Sequence, residues 1–127
     1  MNWLLVFLGG GLGSVARFSL SLATLRLGWI TFPYATLIVN VVGCFLLGLL
    51  TELLALKLSL PQTIRLFLTT GFLGGFTTFS TFSLETALYI EQARTMIAIF
   101  YLVLSVGLSV GALFVGMALI RAIVDFS

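Results

Sequence analysis

Ten residues near the middle of the chain, Gly74-Gly75-Phe76-Thr77-Thr78-Phe79-Ser80-Thr81-Phe82-Ser83, combine backbone freedom, hydroxyl donors and aromatic rings within an otherwise apolar stretch. Adjacent Gly74 and Gly75 lower the cost of leaving helical geometry, and the Thr and Ser side chains that follow can bond backbone groups freed by unwinding. A helix broken inside a membrane exposes carbonyls, which can hold a small cation, and N–H groups, which can hold an anion. The same composition suits a small-residue packing face between unbroken helices, and the residues alone leave both readings open. Thr78-Phe79-Ser80 and Thr81-Phe82-Ser83 form a tandem that places both rings on nearly one helical face. A ring's edge is the positive end of its quadrupole, so an anion approaching edge-on is weakly attracted. Hydroxyl and amide donors supply the stronger replacement for lost water, so an anion path of this kind needs few full charges.

Other polar residues stand where such a path could use them. Asn40 lies seven residues beyond Pro33, about 10 Å into its helix at ~1.5 Å per residue. Its amide can donate to an anion or simply bond a neighbouring helix. Tyr101, Ser105 and Ser109 recur at i, i+4 and i+8, a narrow hydroxyl stripe on one helical face. Glu85 follows the phenylalanine tandem; an acid inside a bilayer is costly, and serves either function or a hydrogen-bonded structural role. Gly107 and Gly111 form a Gly-x-x-x-Gly pair that reads as a close-packing site. Cys44 has no cysteine partner and reads as a packed small hydrophobe. With no histidine and no Cys/His cluster, a transition-metal site is not expected. A net charge of +2 is too small to suggest nucleic-acid binding. No nucleophile, base and orienting group recur together, which argues against an enzyme.

The elements that must position these residues follow from hydropathy. Of 127 residues, 61% are hydrophobic and 8% charged, with a mean hydropathy of +1.26, against roughly 25% charged residues in a soluble domain. Uncharged stretches run from Leu27 to Thr51, Leu66 to Leu84 and Thr95 to Ile120, and Met1 to Ala16 continues past Arg17. Each approaches or exceeds the ~20 residues that cross a bilayer as a helix. The expected fold is an all-α membrane protein of one domain, residues 1–127, with four transmembrane helices at about 2–23, 33–56, 61–91 and 95–121 and the third broken near 74–78. Ser14-Val15-Ala16 has the form of a signal cleavage site, but no basic residue precedes the apolar run, so the first helix is expected to be retained. Pro33 belongs in the first turn of its helix, and Ser59-Leu60-Pro61-Gln62 reads as a capping box. With the N-terminus inside, Lys57, Arg65 and Arg121 would be cytoplasmic and Arg26 and Arg94 external, with Arg17 ambiguous. The positive-inside rule then has almost nothing to read, and insertion in both orientations becomes plausible. Four helices are also too few to enclose a polar path, which favours an oligomer.

The motif Gly71-Phe72-Leu73-Gly74-Gly75-Phe76-Thr77-Thr78-Phe79-Ser80-Thr81-Phe82-Ser83 closely resembles the Fluc (CrcB) family of small fluoride channels. Supporting matches are the glycine-rich first helix ending in Arg17, the segment Thr36-Leu37-Ile38-Val39-Asn40, Glu85, and the Tyr101, Ser105, Ser109 stripe. The resemblance implies an antiparallel, dual-topology homodimer in the bacterial inner membrane, with two fluoride pores and a structural Na+ at its centre. By position, the backbone carbonyls of Gly74 and Thr77 would hold the Na+. Phe79 and Phe82 would be the pore phenylalanines, with Ser80 and Thr81 lining the pore and Asn40 a donor nearby. Tyr101, Ser105, Ser109 and Glu85 would form a polar track beside the ion, and Arg17 would face a vestibule or the subunit interface. The competing reading is a small dual-topology coupled exporter of the multidrug resistance type, which relies on a glutamate in its first helix, where this chain has only Arg17.

Overall fold

The computed structural model describes all residues 1–127 and contains helices and connecting turns, with no strands. Helices α1 (Asn2–Arg26), α2 (Tyr34–Leu56) and α6 (Thr95–Asp125) are each long and apolar enough to cross a membrane. Between α2 and α6 the chain runs through α3 (Gln62–Leu66), a π-helical turn (Phe67–Leu73), α4 (Gly74–Phe76) and α5 (Ser80–Glu91). None of these pieces is long enough to cross alone. Pro33 and Pro61 cap α2 and α3 from outside the first turn, and neither helix receives a side-chain capping bond. The Ser59 capping box is therefore not formed; Pro61 holds an extended conformation (ψ 147°) and starts the helix by its own fixed φ.

The molecule is two helix pairings joined at the broken segment. Helix α2 packs along α6, while α1 packs along the π turn and α4. Both contacts are glycine-mediated. A Cβ on Gly9 or Gly13 of α1 would strike the carbonyls of Phe67 or Phe72, and one on Gly75 would strike the Gly10 carbonyl. Gly48 and Gly116 allow the same approach between α2 and α6, against the Leu113 and Phe45 carbonyls. In lipid, where apolar burial drives little association, such backbone proximity is a main source of helix–helix attraction. Large side chains such as Trp3, Phe7 and Phe114 point outward, as expected where the solvent is hydrocarbon.

Within the single chain Gly107 and Gly111 make no close helix contact. A Cβ at either position meets nothing within 4 Å, and both line a shallow apolar groove with Val41, Phe45 and Val115. The register of α6 against α2 is set by Gly116 instead. Alanine at Gly75 should therefore destabilise the protein by about 1–3 kcal/mol through overpacking against α1. Alanine at Gly111 should be neutral or stabilising by up to about 1 kcal/mol from helix propensity. Thermal unfolding in detergent separates the two, and equal losses would contradict this packing.

The break itself falls at Thr77–Phe79, with Gly74 and Gly75 still helical. Gly74 keeps φ −63° and ψ −37°, and Gly75 is used for its missing Cβ against α1. The chain leaves the helix where Thr77 turns extended, at ψ 158°. Upstream, the π turn was not foreseen. Thr69 Oγ1 donates to the Arg65 carbonyl at 2.7 Å, and such back-bonding competes with the regular ladder. Wider π turns of this kind occur mostly as single insertions in helices.

Candidate functional site

One face of α2 meets the break. Thr36, Asn40 and Gly43 recur at helical spacing, and Gly43 leaves room for the methyl of Thr77, which would otherwise collide with a Cβ there. Asn40 then bonds both backbone groups of Thr78. Its Nδ2 donates to the Thr78 carbonyl at 2.9 Å, and its Oδ1 accepts from the Thr78 N–H at 2.8 Å. An asparagine side chain thus replaces the helical neighbours Thr78 has lost, and one Nδ2–H remains for another acceptor. Downstream, the Thr78 hydroxyl accepts from the Thr81 N–H at 3.2 Å and donates to Thr81 Oγ1 at 3.2 Å, capping α5 from within the break.

These diversions free specific backbone groups. In an unbroken helix the Thr78 N–H would bond the Gly74 carbonyl and the Thr81 N–H the Thr77 carbonyl. Both amides are turned elsewhere, and no backbone N–H from residues 78–81 reaches back across the break. The carbonyls of Gly74 and Thr77 thereby lose their usual donors. On the α5 side, the N–H groups of Phe79, Ser80 and Phe82 find no backbone acceptor, leaving donors at the positive end of a twelve-residue helix.

A cleft of ≈ 360 Å³ opens beside the break, lined among others by Asn40, Thr78, Phe79, Phe82, Ser105 and Ser109. Phe82 is 6% exposed and Phe79 76%. Their rings lie 5.7 Å apart, tilted by 56°, and Phe82 continues to the Tyr101 ring at 5.2 Å. The hydroxyls of Tyr101, Ser105 and Ser109 are buried and make no well-formed hydrogen bond within the chain, with Thr36 and Ser105 standing near the Tyr101 hydroxyl. An unpaired buried hydroxyl costs roughly 1–3 kcal/mol in protein, so three in one stripe form a row of polar groups in need of partners. Cys44, expected only to pack, also lines this cleft.

Glu85 lies outside that cleft. It accepts a hydrogen bond from Thr36 Oγ1 and lines a second cleft, of ≈ 430 Å³, with Tyr89 and Arg94. Arg17 lines a third, of ≈ 200 Å³, where Ser14, Ser21, Thr36, Thr78 and Thr81 surround it. Ser80 and Gly74 are exposed, and Ser80 Oγ lies 3.4 Å from Thr78 Oγ1. The structure therefore gathers Asn40, Phe79, Phe82, Ser105 and Ser109 in one place, with Tyr101 adjoining through Phe82, and sets Glu85 and Arg17 at flanking openings. Thr36 and Thr78 link the three clefts, and their roles were not singled out from sequence. A signal existed for Thr78, a hydroxyl residue three positions before Thr81 in a helix-start pattern. No local signal pointed from Thr36 to Glu85. The ion pair of Arg121 Nε with Glu52 Oε1, at 2.8 Å, ties α6 to the end of α2 and is structural.

Long apolar helices packed with an interrupted one, whose break frees carbonyls on one side and donors on the other, define a polytopic membrane protein. The chain belongs to the CrcB family, whose model, described as "CrcB-like protein, Camphor Resistance (CrcB)", matches residues 4–117. It is 51% identical over 124 residues to the fluoride-specific ion channel FluC of Granulibacter bethesdensis, covering 98% of each chain. It is 49% identical over 121 residues to the protein of that name from Rhizobium meliloti, covering 95% of this chain and 97% of the relative. The corresponding figures for Methylobacterium sp. are 47% over 121 residues, 95% and 97%.

Proposed function

We propose that the protein is a fluoride-selective channel that lets cytoplasmic fluoride leave passively across the bacterial inner membrane. The observation that carries this reading is the stripe of unpartnered buried hydroxyls on α6 beside the phenylalanine-lined break. Fluoride is small, hard and strongly hydrated, so a path for it must replace water with close donors rather than with a cage of full charges. Tyr101, Ser105 and Ser109 hydroxyls, the spare Asn40 N–H and the free amides opening α5 are such donors, and the Phe79 and Phe82 ring edges add weak attraction. Fluoride enters acid-exposed cells as HF, dissociates in the more alkaline cytoplasm, and would leave down its electrochemical gradient. Such a protein is a channel and not an enzyme.

The functional unit in this reading is an antiparallel homodimer of four-span subunits with two pores. The segmented run from Gln62 to Glu91 would serve as the third span, and the balanced distribution of basic residues supports insertion in both orientations. Exposed Phe79 suits a ring that completes its surroundings only against a second copy. A structural Na+ fits the freed carbonyls of Gly74 and Thr77, since a small hard cation takes uncharged oxygen donors. Its role would be to neutralise those dipoles where two breaks meet, joining assembly to the pore.

Purified protein in liposomes, followed with a fluoride electrode, tests this reading. With potassium ionophore clamping the voltage, efflux should exceed that of empty vesicles at rates above those of a coupled exporter, with no need for a proton gradient. Efflux no faster than from empty vesicles refutes the channel. Slow transport that requires a proton gradient would favour the coupled exporter instead.

A further inference from the structure

The cleft floored by Glu85 carries a cation at its mouth that the reading above does not use. Ile30, Thr31, Tyr89, Gln92 and Arg94 surround the Glu85 carboxylate in a space of ≈ 430 Å³, and Arg94 is the only cation among the lining residues. Its position is set by the turn between α5 and α6. Ala93 adopts φ +59°, a left-handed conformation that disfavours residues other than glycine. The Arg94 N–H then reaches back to the Tyr89 carbonyl at 2.8 Å, and the Ala93 N–H bonds Ile90 O at 3.1 Å. This reversal lays the Arg94 guanidinium over the Tyr89 ring, 5.2 Å from its centroid. Tyr89 in turn stands edge-on to Tyr101 at 6.5 Å, so a single ring lies between the anchored cation and the first residue of the hydroxyl stripe. These bonds form the left-handed cap that ends α5, and with the stacking on Tyr89 they fix where the Arg94 side chain starts and where its charge lies.

We propose that Arg94 is an anion-capture residue, which raises the local fluoride concentration at this mouth and offsets the repulsion of the Glu85 carboxylate. The inference rests on the channel reading and adds a charge-steering step to it. A cation over a low-dielectric cleft focuses its field outward, and the resulting attraction acts across water and is screened by salt.

Fluoride efflux from liposomes holding the full-length wild type, Arg94→Gln, Arg94→Lys or Arg26→Gln, at about 10 mM and about 1 M of an impermeant salt, tests it. The Debye length falls between these conditions from roughly 30 Å to roughly 3 Å. Arg94→Gln should lose about threefold in efflux rate at low salt, the size expected for one charge several ångströms from the ion path, and match wild type at high salt. Arg94→Lys should retain most of the wild-type rate. Arg26→Gln removes the same charge from a separate cleft beside Ser19 and Leu22, and should change little. The proposal is overturned if Arg94→Gln conducts like wild type at low salt, if its loss persists at high salt as a structural defect would, or if Arg26→Gln loses as much. Absence of efflux from wild type would remove the channel reading and this inference together, whereas wild-type efflux with an unaffected Arg94→Gln removes the inference alone.

Discussion

Asn40→Ala should bring fluoride efflux down to the level of empty vesicles and lower the unfolding free energy by about 2–6 kcal/mol. The two hydrogen bonds to Thr78 are the reason. Thr78 is 8% exposed, so without Asn40 its N–H and carbonyl are left buried and unpaired, at roughly 1–3 kcal/mol each. The break loses the contact that holds its shape, and the cleft loses its amide donor. Asn40→Asp separates these effects. The carboxylate still accepts from the Thr78 N–H, so part of the stability should return, but it cannot donate to the Thr78 carbonyl and it repels anions, so efflux should stay absent. Reconstituted efflux and thermal unfolding in detergent, measured on both variants, check this. Wild-type conduction by Asn40→Ala would show that the break keeps its shape without that side chain.

Phe82→Ala and Phe79→Ala should both reduce conduction, but only the first should damage the fold of the single chain. Phe82 is buried against Tyr101 and Phe79, and removing such a ring costs about 3–5 kcal/mol. Its loss also opens the wall of the cleft beside Ser105 and Ser109, and efflux should fall more than tenfold. Phe79 is largely exposed, so its truncation should change stability by less than about 0.5 kcal/mol. A substantial loss of efflux from a stable Phe79→Ala protein would assign that ring to permeation. Wild-type efflux from both variants would remove the rings from the mechanism.

Much of the site was legible from residue types because its chemistry is local. A hydroxyl stripe at i, i+4 and i+8 lies on one face of any helix, and Tyr101, Ser105 and Ser109 do lie together with their hydroxyls unpaired. A break was expected near 74–78, with Gly74 and Gly75 chosen because glycine tolerates unwinding; it falls at Thr77–Phe79, at the downstream end of that range, and both glycines stay helical. Glycine has two uses, conformational freedom and close approach, and composition does not distinguish them. At Gly75 the neighbouring Gly10 carbonyl decides for approach. The same ambiguity explains Gly107 and Gly111, whose spacing is that of a packing motif but which border an open groove shared with α2, where a Cβ would meet nothing within 4 Å.

What the sequence by itself determined is the membrane-spanning character and the family. Hydrocarbon leaves backbone groups no partners, so a long run of uncharged residues must become a helix whatever lies beside it. The motif from Gly71 to Ser83 is specific because donors, rings and glycines all occur within a few turns. Only the tertiary structure decided that Asn40 spends its amide on Thr78, that Thr36 bonds Glu85 and that Arg94 overhangs the Glu85 cleft. Asn40 and Thr78 are 38 residues apart and Thr36 and Glu85 are 49 apart. No helical periodicity relates such positions; they meet because missing glycine side chains let α1, α2 and α6 close around the broken segment.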